Sequence, residues 1–206
     1  MKKYINYWQN FYKKKNLQKI ISYPSQFAIF SLNEKKNEDK IVELGCGNGR
    51  DAYIFSKYFK KVYALDSSLN AIKLNKKNYK YQKNLFFIQH DINNKFEKKI
   101  LNLKNKIIYA RFFLHTLKNE EIKKLIENCS EILNKDEKVL VEYRNNKDKN
   151  IKKIFNKHYR NYLNSKKIIE EFKKFGLINI YSIEGKGYAK FKNEDANVTR
   201  QIYIKK

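Results

Sequence analysis

Two spacings of apolar residues divide most of this chain. Short apolar runs stand at Ile41 to Leu44, Lys61 to Leu65, Leu85 to Gln89, Lys106 to Ala110, Glu137 to Tyr143, Leu177 to Ile183 and Val198 to Ile204. Runs of this length with β-branched and aromatic residues read as buried strands. Between them the apolar positions recur at helical spacing, which predicts helices over Asp51 to Tyr58, Ser67 to Asn78, Glu120 to Leu133 and Ser165 to Phe175. In the second of these Leu69, Ile72 and Leu74 are expected to face inward, and Gly176 stops the last. Strands alternating with helices, then two strands in succession, describe a doubly wound α/β sheet with a terminal hairpin.

Residues 1–33 stand outside that alternation. Tyr4, Tyr7, Trp8, Phe11 and Tyr12 fall on one face of a helix, followed by the basic run Lys13 to Lys15. Ser22-Tyr23-Pro24-Ser25-Gln26-Phe27 reads as a turn, with Ser25 as N-cap of a second helix. Two readings stand for this segment: a helical pair on the sheet edge, or a cap over a pocket with Tyr7, Trp8 and Tyr12 lining it. The chain therefore divides into a helical cap, 1–33, and a core, 34–206, within one domain.

The chemistry centres on Glu43-Leu44-Gly45-Cys46-Gly47-Asn48-Gly49-Arg50. A glycine-rich turn between a strand and a helix lets a ligand approach the backbone without meeting a Cβ. A dinucleotide fingerprint needs Gly or Ala where Arg50 stands, and a phosphate loop needs Gly-Lys-Ser/Thr, so both are excluded. A second strand, Val62 to Leu65, ends in Asp66, 17 residues after Gly49, where a carboxylate can accept both hydroxyls of a ribose.

An acidic residue followed by G-x-G-x-G resembles the first motif of the class I S-adenosylmethionine (SAM)-dependent methyltransferases. The resemblance covers about residues 40–206. It implies a Rossmann-like seven-stranded sheet with a C-terminal antiparallel hairpin, SAM as cofactor and S-adenosylhomocysteine as product. It also implies cofactor contacts at Glu43, Gly45, Cys46, Gly47, Asn48, Gly49, Asp66, Ser67, Asp91, Ile92 and Arg111. Asp91, after the third strand, would meet the adenine amino group; otherwise it caps the next segment. His90 beside it reads as local structure.

Arg111-Phe112-Phe113-Leu114-His115 follows the fourth strand, where doubly wound folds carry chemistry. Arg144 follows the fifth, and His158-Tyr159-Arg160 lies beyond it. These residues are expected on the acceptor side, with Arg111, His115 and His158 as candidate catalytic groups. Three arginines there suggest an anionic acceptor, because a guanidinium grips phosphate or carboxylate with two parallel bonds. The competing account is ion pairing with Glu142, Asp148 or Glu170. Y-x-x-x-W-x-x-F-Y, P-S-Q-F, R-F-F-L-H and H-Y-R together resemble bacterial methyltransferases encoded with capsule or other surface-glycan genes. That implies O-methylation of a phosphorylated, phosphoramidate or nucleotide-activated sugar. An acceptor oxygen that is already anionic needs no general base.

Composition narrows the alternatives. The net charge of +25 invites nucleic acid, but only five of the 46 basic residues are Arg, and the lysines are spread along the whole chain. The single proline, Pro24, excludes the Pro-containing motifs of amino-group and cytosine-C5 DNA methyltransferases. An RNA methyltransferase and a non-catalytic SAM-binding regulator remain as alternatives, while an NAD-linked oxidoreductase lacks its fingerprint. Cys46 and Cys129 make neither a disulfide framework nor a metal cluster, and no metal is expected. No apolar run spans a bilayer and no signal segment is seen, so a cytoplasmic protein without membrane contact is expected. Oligomeric state is left open.

Overall fold

The computed structural model describes residues 2–13, 23–150 and 158–206. Seven strands pair in one sheet: β1 (Lys40–Leu44), β2 (Lys61–Asp66), β3 (Leu85–Gln89), β4 (Lys106–Arg111), β5 (Lys138–Arg144), β6 (Leu177–Gly185) and β7 (Val198–Lys205). Their order is β3-β2-β1-β4-β5-β7-β6. The first five are parallel, and β7 runs antiparallel between β5 and β6. This is the doubly wound sheet with a C-terminal hairpin that the alternation predicts. Strand order reverses between β1 and β4, so their carboxyl ends flank the crevice where such sheets bind ligands.

Helices α1 (Lys2–Phe11), α2 (Gln26–Asn33), α3 (Arg50–Phe55), α4 (Leu69–Asn78), α5 (Lys98–Leu101), α6 (Asn119–Ile132) and α7 (Ser165–Lys174) complete the fold. Alternate residues of the strands serve two cores. Val42, Leu44, Ile108, Ala110, Val139 and Val141 pack with Leu125, Ile126 and Cys129 of α6 and with Ile168 and Phe172 of α7. Ile41, Val62, Ala64, Ile107, Tyr109 and Leu140 pack with Phe27 of α2 and with Ala52 and Phe55 of α3. Each large side chain so buried contributes about 1.5–3 kcal/mol.

The predicted caps form. Ser25 Oγ accepts from the Ala28 amide at 3.0 Å and starts α2. Gly176, at φ +73°, follows the end of α7. The inward face expected for α4 is corrected. Ser68 is its N-cap, and Ala71, Ile72 and Asn75 are its buried residues, whereas Leu69 is exposed. With Ser68 as cap, Leu69 is the first residue of the helix, at the end of its buried stripe.

Helix α1 lies against the start of α4. Gln9 Oε1 accepts from the Asn70 amide at 3.2 Å, and Asn70 Nδ2 donates to the Gln9 carbonyl at 2.8 Å. The Tyr4 side chain, Lys14, Lys15, Ser22 and residues 151–157 lie outside the described residues.

Candidate active site

The glycine turn is held by backbone and carboxylate together. Leu65 carbonyl accepts from the Gly45 and Cys46 amides at 2.8 and 2.9 Å. Asp66 Oδ2 accepts from the Gly47 amide at 2.9 Å, and Oδ1 from the Ser68 amide at 2.8 Å. Burial raises the Asp66 pKa, against the two amides, which lower it. Gly47 sits at φ +54°, and a Cβ there would stand 2.5 Å from the Tyr12 hydroxyl. At Gly45, φ +71°, it would run into the Phe113 ring. Both positions therefore require glycine, one for the approach of a group from α1 and one for packing beneath the turn.

Glu43 closes the same corner. It is buried, and its Oε2 has no hydrogen-bond partner among the described residues. Burial, then the charge of Asp51, pushes its pKa well above the usual carboxylate range. An acceptor held this way is costly unless a donor arrives. Cys46 packs into the core, and Asn75 Nδ2 donates to the Gly47 carbonyl at 2.7 Å. The Asn48 carbonyl accepts from the Tyr79 hydroxyl at 3.3 Å. Ser67 is half-buried, with its carbonyl receiving Gln89 Nε2 at 3.3 Å. Asp91 Oδ1 accepts from the Asn93 amide at 3.0 Å and so makes the capping contact. Ile92 is buried in the core beneath α6. His90 stacks on Phe96 at 4.9 Å, in keeping with a local role.

Beyond the carboxyl ends of β4 and β5 lies a cavity of about 330 Å³. Trp8, Tyr12, Arg111, His115, Arg144, His158 and Arg160, all singled out from sequence, line it. Tyr7 packs on Trp8 and His158, at ring distances of 5.0 and 5.3 Å, from behind that lining. Tyr159 is half-buried and is not among the lining residues.

Strand register builds the charged floor. Arg111 of β4 faces Glu142 of β5, which faces Arg200 of β7. Glu142, fully buried, accepts from Arg111 Nε at 2.9 Å and from Arg200 Nε at 2.8 Å. Arg144 donates Nη1 to Asp148 at 2.8 Å and Nη2 to Glu194. The ion-pair account thus describes Arg111 in part and Arg144 fully: the Arg144 fork expected to receive an acceptor spans two carboxylates instead. Phe112 sits at φ +52° with its ring 4.3 Å from the Arg111 guanidinium and 5.2 Å from that of Arg144. An aromatic residue at positive φ is strained by about 1–2 kcal/mol, and the two cation–π contacts hold it there.

Two imidazoles face the cavity. His115 Nδ1 accepts from the Arg144 amide at 3.3 Å, which leaves the proton on Nε2. Burial, then the nearby Arg144, takes its pKa well below the ordinary value. Burial and Arg160 push His158 down to about 4. Its Nδ1 has no hydrogen-bond partner among the described residues. Burial thus favours the neutral form of both rings, and the tautomer of His115 carries its N–H at Nε2.

Several lining residues escape a sequence reading. Tyr23 to Gln26 reach the cavity from the turn before α2, and Arg50 from the start of α3. Asp51 ties that turn down, accepting from the Ser25 amide and hydroxyl at 2.8 and 2.7 Å and from the Tyr109 hydroxyl at 2.9 Å. Tyr188, Lys190, Phe191 and Glu194 come from the β6–β7 connection. The available signal was its composition: aromatic residues in a connection too long for a tight hairpin.

The profile of a methyltransferase-domain family matches residues 12–182. No curated protein matches the chain. Among solved structures the chain resembles a SAM-dependent methyltransferase of Anabaena variabilis, at 15% identity and TM-score 0.75, covering 98% of this chain and 95% of that one. A TehB-like SAM-dependent methyltransferase of Corynebacterium glutamicum gives 16% identity and TM-score 0.70, with 98% and 97% covered. A SAM-dependent methyltransferase of Clostridium acetobutylicum gives 14% and 0.69, with 98% and 99% covered. At these identities the likeness is one of fold.

Proposed function

Because the chain belongs to the methyltransferase-domain family, with SAM as its cofactor, we propose that it methylates an oxygen of a small anionic metabolite. The observation that carries this reading is the cavity beside the glycine turn, lined by Arg50, Arg111, Arg160 and Lys190 and by two neutral imidazoles.

The turn fits the cofactor on its own geometry. Gly47, at φ +54°, turns the chain under the Tyr12 hydroxyl with no Cβ in the way, and the orphaned Glu43 Oε2 is an acceptor suited to an ammonium group. Each Asp66 oxygen, already fixed by one amide, keeps a lone pair for a hydroxyl. The bound cofactor supplies an activated sulfonium methyl. The remaining work is orientation and exclusion of water. In this reading Trp8, Tyr12 and Phe112 shield the acceptor, Arg111 balances its charge, and His115 donates Nε2–H to it. An acceptor that is already ionised needs no proton removed, and the cations and the Nε2–H donor of the cavity suit it. A phosphorylated, phosphoramidate or nucleotide-activated sugar of a surface glycan has such oxygens, and the resemblance of the four short motifs to glycan-gene methyltransferases favours that class. The same segments favour treating residues 1–33 as a cap over residues 34–206.

Calorimetric titration with SAM and S-adenosylhomocysteine, beside NAD, tests the cofactor site; binding of the adenosyl ligands alone is expected. Turnover on sugar phosphates and nucleotide sugars, against neutral sugars and RNA, then tests the acceptor. Methylation of RNA in place of anionic sugars would sink the small-acceptor reading.

A further inference from the structure

The arginines that line the cavity, and Arg200 in the floor beneath it, differ in what their nitrogens already hold. Arg144 spends both terminal nitrogens on Asp148 and Glu194. Arg200 gives Nε to Glu142 and Nη2 to the Tyr188 carbonyl at 2.8 Å. Arg111 gives only Nε, to Glu142, so neither of its terminal nitrogens has a hydrogen-bond partner among the described residues. Arg50 makes one contact at the limit of hydrogen bonding, Nη1 to the Tyr23 carbonyl at 3.5 Å. Its Nε stands 3.7 Å from Asp51 Oδ1, but both Asp51 oxygens already accept from Ser25, and Oδ2 from Tyr109 as well.

Arg50 and Arg111 line the same cavity and repel each other: burial, then the Arg111 charge, lowers the Arg50 pKa. The acidic groups around them are Glu43, Asp51 and Glu142, and Glu43 makes no ion pair with either arginine. Two like charges with donors turned to one open space are stabilised by an anion placed between them. The cavity is small, and the apolar rings of Trp8, Phe11, Tyr23 and Phe112 make up much of the rest of its lining. The ligand is therefore compact, with one oxyanion and a ring whose faces can pack on these side chains, which within the class proposed above favours a phosphorylated sugar over a nucleotide-activated one.

We propose that Arg50 and Arg111 form an oxyanion subsite for the carboxylate or phosphoryl group of the methyl acceptor, with Arg50 setting specificity. This rests on the methyltransferase reading above. It assigns the anion to a residue whose sequence position suggests only an excluded dinucleotide motif. The Arg144 fork then serves the cavity wall.

The test is calorimetry on the full chain, first with S-adenosylhomocysteine and with 5′-methylthioadenosine, which lacks the amino-acid carboxylate. Inorganic phosphate and acetate are then titrated into the S-adenosylhomocysteine complex. Wild type, Arg50→Lys, Arg50→Gln and the remote control Lys80→Gln are compared, with thermal midpoints to confirm folding. The expected result is that Arg50→Gln weakens phosphate or acetate binding about tenfold or more while Arg50→Lys weakens it less, in line with a lost guanidinium contact. Lys80→Gln and S-adenosylhomocysteine affinity should be unchanged. Stronger binding of phosphate than acetate would assign a phosphoryl acceptor, and the reverse a carboxylate. Equal oxyanion binding by wild type and Arg50→Gln would overturn the proposal. So would a loss of S-adenosylhomocysteine with 5′-methylthioadenosine untouched, since the pair would then hold the cofactor's carboxylate. Failure of wild type to bind either adenosyl ligand would overturn the methyltransferase reading itself, and the subsite with it.

Discussion

The Arg144 amide donates to His115 Nδ1 across 3.3 Å, tying the fifth strand's end to the turn after the fourth. That bond fixes the tautomer of the ring. Because Nδ1 is an acceptor, the cavity is offered a donor, and because the ring is buried beside Arg144 it resists taking a second proton.

His115 and His158 should therefore give no titration near pH 6.5. In the unfolded chain both take up a proton near that pH, whereas in the folded chain His115 does so well below it and His158 at about 4. Between those limits the unfolded state binds more protons, so stability rises with pH and is lost as pH falls from about 6.5 towards 4. Urea midpoints at pH 7.5 and 5 should fall less in His115→Gln than in wild type, a comparison that cancels the opposite contributions of Glu43 and Asp66. Turnover should show no histidine limb, and His115→Phe should lose more activity than His115→Gln, which keeps a donor. An imidazole resonance titrating near 6.5 and assigned to His115 would remove it from this role.

Gly47→Ala should lower stability and SAM affinity together. The new methyl is strained at φ +54° by about 1–2 kcal/mol and meets the Tyr12 hydroxyl at 2.5 Å. Removing that oxygen relieves only the second effect. Tyr12→Phe in the Gly47→Ala background should recover part of the loss, with a coupling of about 0.5–3 kcal/mol in a double-mutant cycle. Strict additivity would mean Tyr12 does not sit over the turn in solution.

How much of this was legible in the sequence follows the range of the forces involved. The strands were legible because burial on both faces makes them apolar runs. The glycine turn was legible because Gly45 and Gly47 answer local demands of φ and space. Ser25 announced a cap by its own chemistry, but not that its hydroxyl would also reach Asp51, 26 residues on. Asp148 could be named as a partner of Arg144, but the same limit hid the other, Glu194, which comes from a connection with no periodic signal. Leu69 was misplaced because α4 begins two residues later than expected, which makes Leu69 its exposed first residue. Arg50 was read only against a motif it breaks, because its exposure to the cavity depends on the distant Tyr23 and Arg111.

Asp51→Ala should be among the more destabilising single changes in the chain. It leaves the Ser25 amide and hydroxyl and the buried Tyr109 hydroxyl without their acceptor. Hydrogen bonds to a charged group contribute about 1.5–3 kcal/mol, so a loss of about 3 kcal/mol is expected. At about 2–4 °C per kcal/mol for a chain of this size, the thermal midpoint should fall by roughly 6–12 °C. Ser25→Ala should cost less, since Ala removes the cap and one bond but keeps the backbone amide on Asp51. If Ser25→Ala costs as much as Asp51→Ala, the amide and Tyr109 contacts of Asp51 together contribute no more than the Ser25 cap.

Arg144→Lys should act on stability before it acts on the acceptor. A grip on an anionic acceptor would raise KM when the fork is lost, yet here the fork joins Asp148 of the segment after β5 to Glu194 of the β6–β7 connection. A lysine can follow one of these carboxylates but not hold both in a plane. The other carboxylate then loses its guanidinium, and breaking a buried ion pair costs about 3–5 kcal/mol. The expected outcome is a lower thermal midpoint, with turnover falling as the wall carrying Tyr188 and Phe191 loosens. Arg144→Met with Glu194→Gln removes charge from both sides and should be more stable than Arg144→Met alone. A raised acceptor KM with an unchanged midpoint would return Arg144 to the anion site and demote the ion pairs.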